Sequence, residues 1–498
     1  MTRDRLWTLL AILLPVLGAT IAPMSTVDLA YQVRAGDLMR ASGTVLRTDP
    51  FTFTAAGQPW LNQQWGAGVL LSLGYSAGGW AGLALFRALL IGLVVGIVFW
   101  AARRWLPVRP AATLALVAFV VGIGSLALRA QLFGIVCFVF VIALLADRRR
   151  HPRLVFLVPL VVLAWANLHG SFFLGVGAAA LALLADLRAP AARWPSAAIL
   201  VLSAVASVIT PIGFGSWSYA VGLSTNGDVA RLVTEWQRTS PLSVDGALFY
   251  TTVIFAAVIL VAARRHAGRW PSIPSLLWLA GLVVVGAWAE RGVVWWAFGA
   301  PVVVAPLLAG LMAGRQPAGS TAPTLTGPAA LTPREPTALR RLNLGIGIVL
   351  VMLVVLLQPV LRPSATIAGP DGLLVDAPVG LATGLRIAGS PADRAVVPQS
   401  WASWFEWATP GVPVMVDSRI EVEPASAWAE YLLIAAGGSG AIDALARSRA
   451  TLVVVDRHDQ GVLLRTLQAP ESGWRLVDQE SDGAIFRVAS TGMASSRR

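Results

Sequence analysis

The sequence predicts a polytopic α-helical membrane protein of about eleven spans with a C-terminal extracytoplasmic α/β domain. Three observations predict this. Mean hydropathy is +0.70, with 56% hydrophobic and only 13% charged residues. Apolar runs near twenty residues recur along the chain, and about 20 residues cross the hydrocarbon core of a bilayer. After Pro363 the pattern changes to short Val-rich runs separated by helical stretches, which points to a small α/β domain with a largely parallel sheet.

The apolar runs lie near residues 7–23, 82–101, 111–128, 132–146, 154–168, 172–187, 197–212, 247–263, 272–288, 293–313 and 343–361. The first has no small-residue cleavage site and reads as a retained span. All basic charge is arginine, with no lysine in the chain. With Arg3 and Arg5 in the cytoplasm, alternation puts Arg103/Arg104, Arg148–Arg150, Arg188/Arg193, Arg264/Arg265 and Arg315–Arg341 on the same side, as the positive-inside rule requires. The net charge of +12 therefore marks topology and not a nucleic-acid partner. Cys137 is the only cysteine, which excludes an intramolecular disulfide and a cysteine metal site.

The expected organisation is a membrane body over 1–314 with a long first outer loop at 24–81, and a Pro/Thr/Ala-rich cytoplasmic linker over 315–342. A last transmembrane helix at 343–361, an extracytoplasmic domain at 362–490 and a disordered tail at 491–498 follow. The first loop is far longer than a helix connector needs, and long loops of this kind are usually functional.

Charged groups near the outer ends of spans are costly unless paired or wet, which makes them functional candidates. Asp28 leads, as a general base beside a low-dielectric wall or as the N-cap of a short surface helix in VDLAYQVRAGDLMR. Arg34 and Asp37 are spaced to pair on that helix. Asp49, before Pro50, is a second catalytic candidate or an Asx-turn. Arg129 and Arg291, each at an outer helix end, are candidates to bind a phosphate or to snorkel to headgroups. Arg87, inside the second run, is expected to snorkel. Asn167 and His169, in the tight WANLHGSF corner, and Glu235, in the second-largest outer loop, are further candidates for substrate binding. Asp417, Arg419 and Glu421 in VDSRIEVEP read best as surface salt bridges. Neither a P-loop, HExxH, GxSxG nor a cysteine cluster occurs, so nucleotide chemistry has no support.

The motifs D-x(7)-G from Asp28, TDPFTFTAAGQPWLNQQW (48–65), LRAQLF around Arg129 and WANLHGSFFLG (165–175), with SWASWFEWATPGVPVMVDSRIEV in the tail, resemble a largely uncharacterised bacterial branch of the GT-C membrane glycosyltransferases. That superfamily includes oligosaccharyltransferase catalytic subunits and protein O-mannosyltransferases. The resemblance implies a sugar transfer from a polyprenyl-phosphate-linked donor to an envelope glycan or lipid, on the outer face of a bacterial inner membrane. It implies Asp28 as the base, with Arg129 and Arg291 as phosphate ligands. Unlike members with two adjacent acids, this chain follows Asp28 with Leu29. The implied partners are a lipid-linked sugar donor, membrane lipids and, through the C-terminal domain, envelope-assembly proteins. The cofactor is left open, including any need for a divalent cation. A non-catalytic protein that transports or assembles a lipid-linked glycan is the alternative.

Overall fold

A computed structural model describes residues 1–314, 335–365 and 367–489. The linker expected at 315–342 thus lies outside the described residues as far as residue 334, and the tail at 491–498 lies wholly outside them. The protein is mostly helical, and each apolar run centres on a helix. Among the described residues six helices are long and apolar enough to cross a membrane, and a seventh is reached if Glu290–Gly299 and Pro301–Ala313, bent by 42°, form one span. The other runs give the shorter apolar helices Leu154–Leu168, Gly170–Asp186, Pro190–Ala206 and Ile273–Trp288.

The chain divides into two compact units. The first holds Met1–Ala22, Ala81–Val221 and Val233–Arg362, and the second holds Pro23–Trp80, Gly222–Leu232 and Pro363–Arg498. The helix Trp65–Arg103 is broken at Gly78 and Gly79, where Gly79 has φ +58°, a left-handed conformation that glycine adopts without a Cβ penalty. The sequence reading placed residues 24–81 with the membrane body; in the structure they are compact with the C-terminal segment.

In the first unit Arg3–Ile21 packs on Val108–Gly122 and Thr337–Leu356. Ala11, Ala111, Ala112 and Ala115 are fully buried, because small side chains let helix backbones approach where lipid supplies no hydrophobic drive. Arg87 does not snorkel. It is 5% exposed, and its guanidinium donates to the carbonyls of Ala19, at 2.6 Å, and Ala22. It thereby satisfies the open C-terminal carbonyls of the first helix.

Three helix-to-helix corners share one local device. Residues Ile123–Ser125, Gly170–Phe172 and Glu290–Gly292 form single 3₁₀ turns. Arg129, His169 and Ala289 are extended at these corners, with φ of −156°, −159° and −148°. An extended residue next to a short turn ends one helix, re-aims the chain and leaves a side chain at the mouth of the next.

In the second unit the strand β1 (Met24–Ser25) pairs in parallel with β2 (Leu374–Val375). A four-stranded sheet comprises β3 (Ala395–Val396), β4 (Leu452–Asp456), β5 (Trp474–Gln479) and β6 (Gly483–Val488), in the order β3-β4-β6-β5. Only β3 and β4 are parallel; β6 runs antiparallel to both β4 and β5. The largely parallel sheet expected from sequence is therefore corrected to a mixed one. Three residues, 480–482, join β5 to β6, and a link that short permits a hairpin, whereas a parallel crossover needs a dozen residues or more. VPVMVDS does not form the expected strand: Val414 makes isolated bridges to Thr52 and Ala395.

The first loop lies within this unit. Its helix Leu29–Ser42 packs against Gln399–Ala408. Gly36 is required there, since a Cβ would stand 2.1 Å from the Gly68 carbonyl oxygen. Asp37 is near Arg40, at 3.9 Å, and accepts the Ser72 hydroxyl at 2.5 Å, so its ion-pair neighbour is Arg40 and not the expected Arg34.

Candidate functional site

The first unit gathers its polar candidates at the three corners. Arg129 Nη2 donates to both oxygens of Glu235, at 2.7 and 2.6 Å, and to Gln131 Oε1 at 3.0 Å. The same Gln131 oxygen accepts from Arg291 Nη2 at 3.4 Å. The Arg291 guanidinium lies 4.5 Å from the centre of the Trp236 ring, a cation–π distance. Two guanidiniums thus share one amide oxygen and face one carboxylate. Burial pushes the Glu235 carboxyl up, but the charges of Arg129 and then Arg291 outweigh it and hold it below its usual range.

His169 stands beside them, 8% exposed. The Ser171 backbone N–H donates to its Nδ1 at 3.2 Å, which assigns the ring proton to Nε2. Ser171 Oγ lies 2.7 Å from Nδ1 and accepts from Trp165 Nε1 at 3.1 Å. Burial, followed by the charges of Arg291 and Arg129, holds the imidazole well below its ordinary 6.5, so it is neutral. Gly134 presses on this corner: a Cβ there would meet Trp165, His169 and Ser171 at 3.0–3.1 Å. Asn167 donates to the carbonyls of Leu163 and Ile209 at 2.9 and 3.0 Å.

A cavity of about 130 Å³ adjoins this cluster, lined by Glu235, Asp245, Glu290 and Arg291. Sequence reasoning did not select Gln131 or Asp245. Asp245 carried a usable signal, being an acid in the first turn of an apolar helix capped by Ser243. Gln131 carried none, because a neutral amide becomes informative only once two arginines are seen to share it.

Asp28 and Asp49 belong to the second unit. Asp28 is half-buried and starts the helix Leu29–Ser42 without a side-chain capping bond. The residues around it are pinned. Ser25 Oγ donates to Asp376 at 2.8 Å, Thr26 Oγ1 to the Asp376 carbonyl at 2.6 Å, Ser418 Oγ to the Val27 carbonyl at 3.2 Å, and the Tyr31 N–H to Ser403 Oγ at 2.8 Å. Burial first, and then the charge of Asp28, raise the Tyr31 phenol well above its ordinary 10.0.

Asp49 forms the expected Asx-turn, accepting from the N–H groups of Phe51 and Thr52 at 3.3 and 2.9 Å. It also accepts from Arg419 Nη2 at 2.7 Å. The expectation of surface salt bridges at Asp417 and Arg419 is corrected, since these residues are 0% and 3% exposed. Arg419 donates to Asp417 and lies 4.5, 5.0 and 5.4 Å from the ring centres of Trp60, Phe51 and Tyr31. Buried charge must be paired, and the first loop and the tail each supply one carboxylate. Glu406 and Glu423 complete the cluster. Burial, and then the charge of Asp417, push both carboxyls well above their ordinary 4.5.

Among the described residues no three His, Cys, Asp or Glu side chains converge as a metal site.

No family model matches the chain, and no curated protein matches its sequence. Solved structures do match its fold. The oligosaccharyltransferase AglB from Archaeoglobus fulgidus, in complex with an inhibitory peptide and a dolichol-phosphate, aligns with a TM-score of 0.54 at 12% identity, over 90% of this chain and 69% of that one. The apo form of the Archaeoglobus fulgidus oligosaccharyltransferase aligns at 0.53 and 12%, over 97% and 74%. The mycobacterial arabinofuranosyltransferase AftD aligns at 0.54 and 18%, over 98% of this chain but 42% of its own length. The chain has the GT-C glycosyltransferase fold. Within this GT-C fold the Arg129–Gln131–Arg291 cluster belongs to the helical unit, while Asp28 belongs to the unit built from the first loop and the tail.

Proposed function

We propose that this protein is an integral-membrane glycosyltransferase that moves a sugar from a polyprenyl-phosphate donor to an envelope glycan or lipid. In this reading all eleven apolar helices span or enter a bacterial inner membrane. The N-terminus is cytoplasmic, and the C-terminal segment lies outside, where it is available to envelope-assembly proteins. One observation carries the proposal: on a GT-C fold, two guanidiniums converge on one amide oxygen beside a neutral histidine. Such an array suits the phosphate of a lipid carrier, because planar guanidiniums match phosphate oxygens.

The reaction follows from these roles. Asp28 takes the proton of an acceptor hydroxyl as its oxygen attacks the anomeric carbon. The bond from that carbon to the phosphate oxygen breaks, and the lipid phosphate leaves with the electron pair. Arg129 and Arg291 stabilise the charge developing on that oxygen. Neutral His169 adds no competing positive charge and fixes the corner through Ser171. Both oxygens of Asp49 are engaged by Arg419, Thr52 and backbone N–H groups, which supports Asp49 as a residue that holds the loop in place.

The test is transfer from a radiolabelled polyprenyl-linked sugar by detergent-purified Asp28→Asn. A loss of about 10²–10⁴-fold is expected, with unchanged thermal stability, since Asn and Asp are equivalent at a helix start. Transfer at the parental rate would remove Asp28 as the base and favour the non-enzymatic reading.

A further inference from the structure

A second cavity, of about 870 Å³, opens between the helices Ala130–Asp147, Phe173–Asp186, Ile273–Trp288 and Pro301–Ala313 of the first unit. Its volume falls in the range of about 300–1,000 Å³ usual for small-molecule sites. Its two ends differ in chemistry. Ile142, Leu181 and Val302 line it from within the helices, whereas Arg148, Arg149, Arg150 and Arg188 follow the ends of Ala130–Asp147 and Phe173–Asp186, and no acid is among the lining residues. Nothing in the glycosyl-transfer reading uses this cavity.

The basic end is organised around one buried acid. Asp186 is 0% exposed and accepts from Arg148 Nε at 2.6 Å, Arg149 Nη2 at 2.7 Å and Ser196 Oγ at 2.8 Å. One carboxylate thus orients two guanidiniums and neutralises one charge of the four. Asp147, the other acid at this end, is taken up by Arg104 at 2.7 Å. The Arg149 side chain is still 63% exposed. Arg150 lies 5.2 Å from the Trp105 ring centre, and Trp105 is 48% exposed, as suits an aromatic at a membrane–water interface.

We infer that this cavity binds an anionic glycerophospholipid of the surrounding leaflet, its phosphate on Arg149, Arg150 and Arg188 and an acyl chain along the apolar part. The charge argues for this occupant: a surplus of guanidiniums at the mouth of an apolar slot between membrane helices meets a phosphate joined to a hydrocarbon chain. A neutral lipid would leave that surplus uncompensated, and a soluble anion would leave the apolar walls empty. The site uses neither Asp28, Arg129 nor Arg291, so its test is independent of the proposed activity.

The test is native mass spectrometry of the full-length protein, titrated in detergent with phosphatidylglycerol or phosphatidylcholine. Phosphatidylglycerol is expected to bind and phosphatidylcholine, whose trimethylammonium brings a like charge to the same guanidiniums, to bind at least about tenfold more weakly. The double variant Arg150→Gln/Arg188→Gln spares both partners of Asp186 and should abolish that preference. A second variant, Leu181→Trp, keeps the charge but narrows the apolar part, and should weaken phosphatidylglycerol while leaving binding of inorganic phosphate unchanged. Equal affinity for the two lipids, or a preference that survives the double variant, overturns the inference. So does displacement of phosphatidylglycerol by equimolar undecaprenyl phosphate, which would make the cavity a carrier-lipid site.

Discussion

Arg419 and Arg129 are both arginines bound to a distant carboxylate, yet their surroundings assign them different work. Arg419 is 3% exposed, held by Asp49 and Asp417 and covered by three aromatic rings. Its Nε and Nη2 are taken by the two acids. Arg129 has a side chain 15% exposed, and its partner Glu235 is 37% exposed, with a cavity alongside. In the first case desolvation makes the pair obligatory, because a buried charge without its partner is very costly. In the second the pair is partly exposed, and in the proposed function an incoming phosphate competes with Glu235 for the guanidinium. If the proposed function holds, burial of both partners separates the structural arginine from the ligand-binding one more sharply than charge or position in the chain.

The comparison is broken most directly by Arg419→Ala. It leaves Asp49 and Asp417 buried without their cation and is expected to cost about 3–5 kcal/mol, read as a fall in the thermal midpoint of the purified protein. A midpoint within a degree of the parent would mean that this cluster is not structural. Arg129→Gln should behave in the opposite way. This pair is partly exposed, so stability should fall much less than in Arg419→Ala, while binding of a polyprenyl phosphate weakens by about tenfold through loss of a charge-assisted contact. Unfolding of this variant would place Arg129 in the same class as Arg419. Glu235→Gln sharpens the contrast, since removing the competing carboxylate should tighten phosphate binding, measured by titration of the same carrier. Weaker binding would make Glu235 a ligand-contacting residue in its own right.

The smallest effect concerns pH. Glu406 is raised well above 4.5 by burial and by Asp417, so the folded state retains a proton that the unfolded chain releases. Its stabilising contribution is complete below about 4.5 and is lost as the pH rises through the folded value. Asp417 has the opposite sign. Burial pushes it up, but Arg419 and Glu406 bring it below 3.8, and its contribution is lost only as the pH falls through that lowered value. Glu406→Gln should therefore flatten the decline of the thermal midpoint above about pH 4.5. An unchanged slope would locate the titrating group elsewhere, with Glu423 the next to vary.

What the sequence determined was local. Long apolar runs must be helical in lipid, because every backbone polar group has to be satisfied within the segment, and each run does centre on a helix. The helix that begins after Asp28 and the Asx-turn at Asp49 were equally legible, since both are set within a few residues. The pairings were not. Glu235 lies 106 positions from Arg129 and Asp49 370 from Arg419, and no spacing rule reaches across such separations. Asp37 has arginines three positions away on either side, so spacing alone left Arg34 and Arg40 equivalent, and the packing that placed Ser72 beside it chose Arg40. Tertiary structure decided which charges lost their water, and that decided which had to be paired. A charged motif reads the same in sequence whether it ends at the surface or in a core, because desolvation belongs to the folded surroundings and not to the residue.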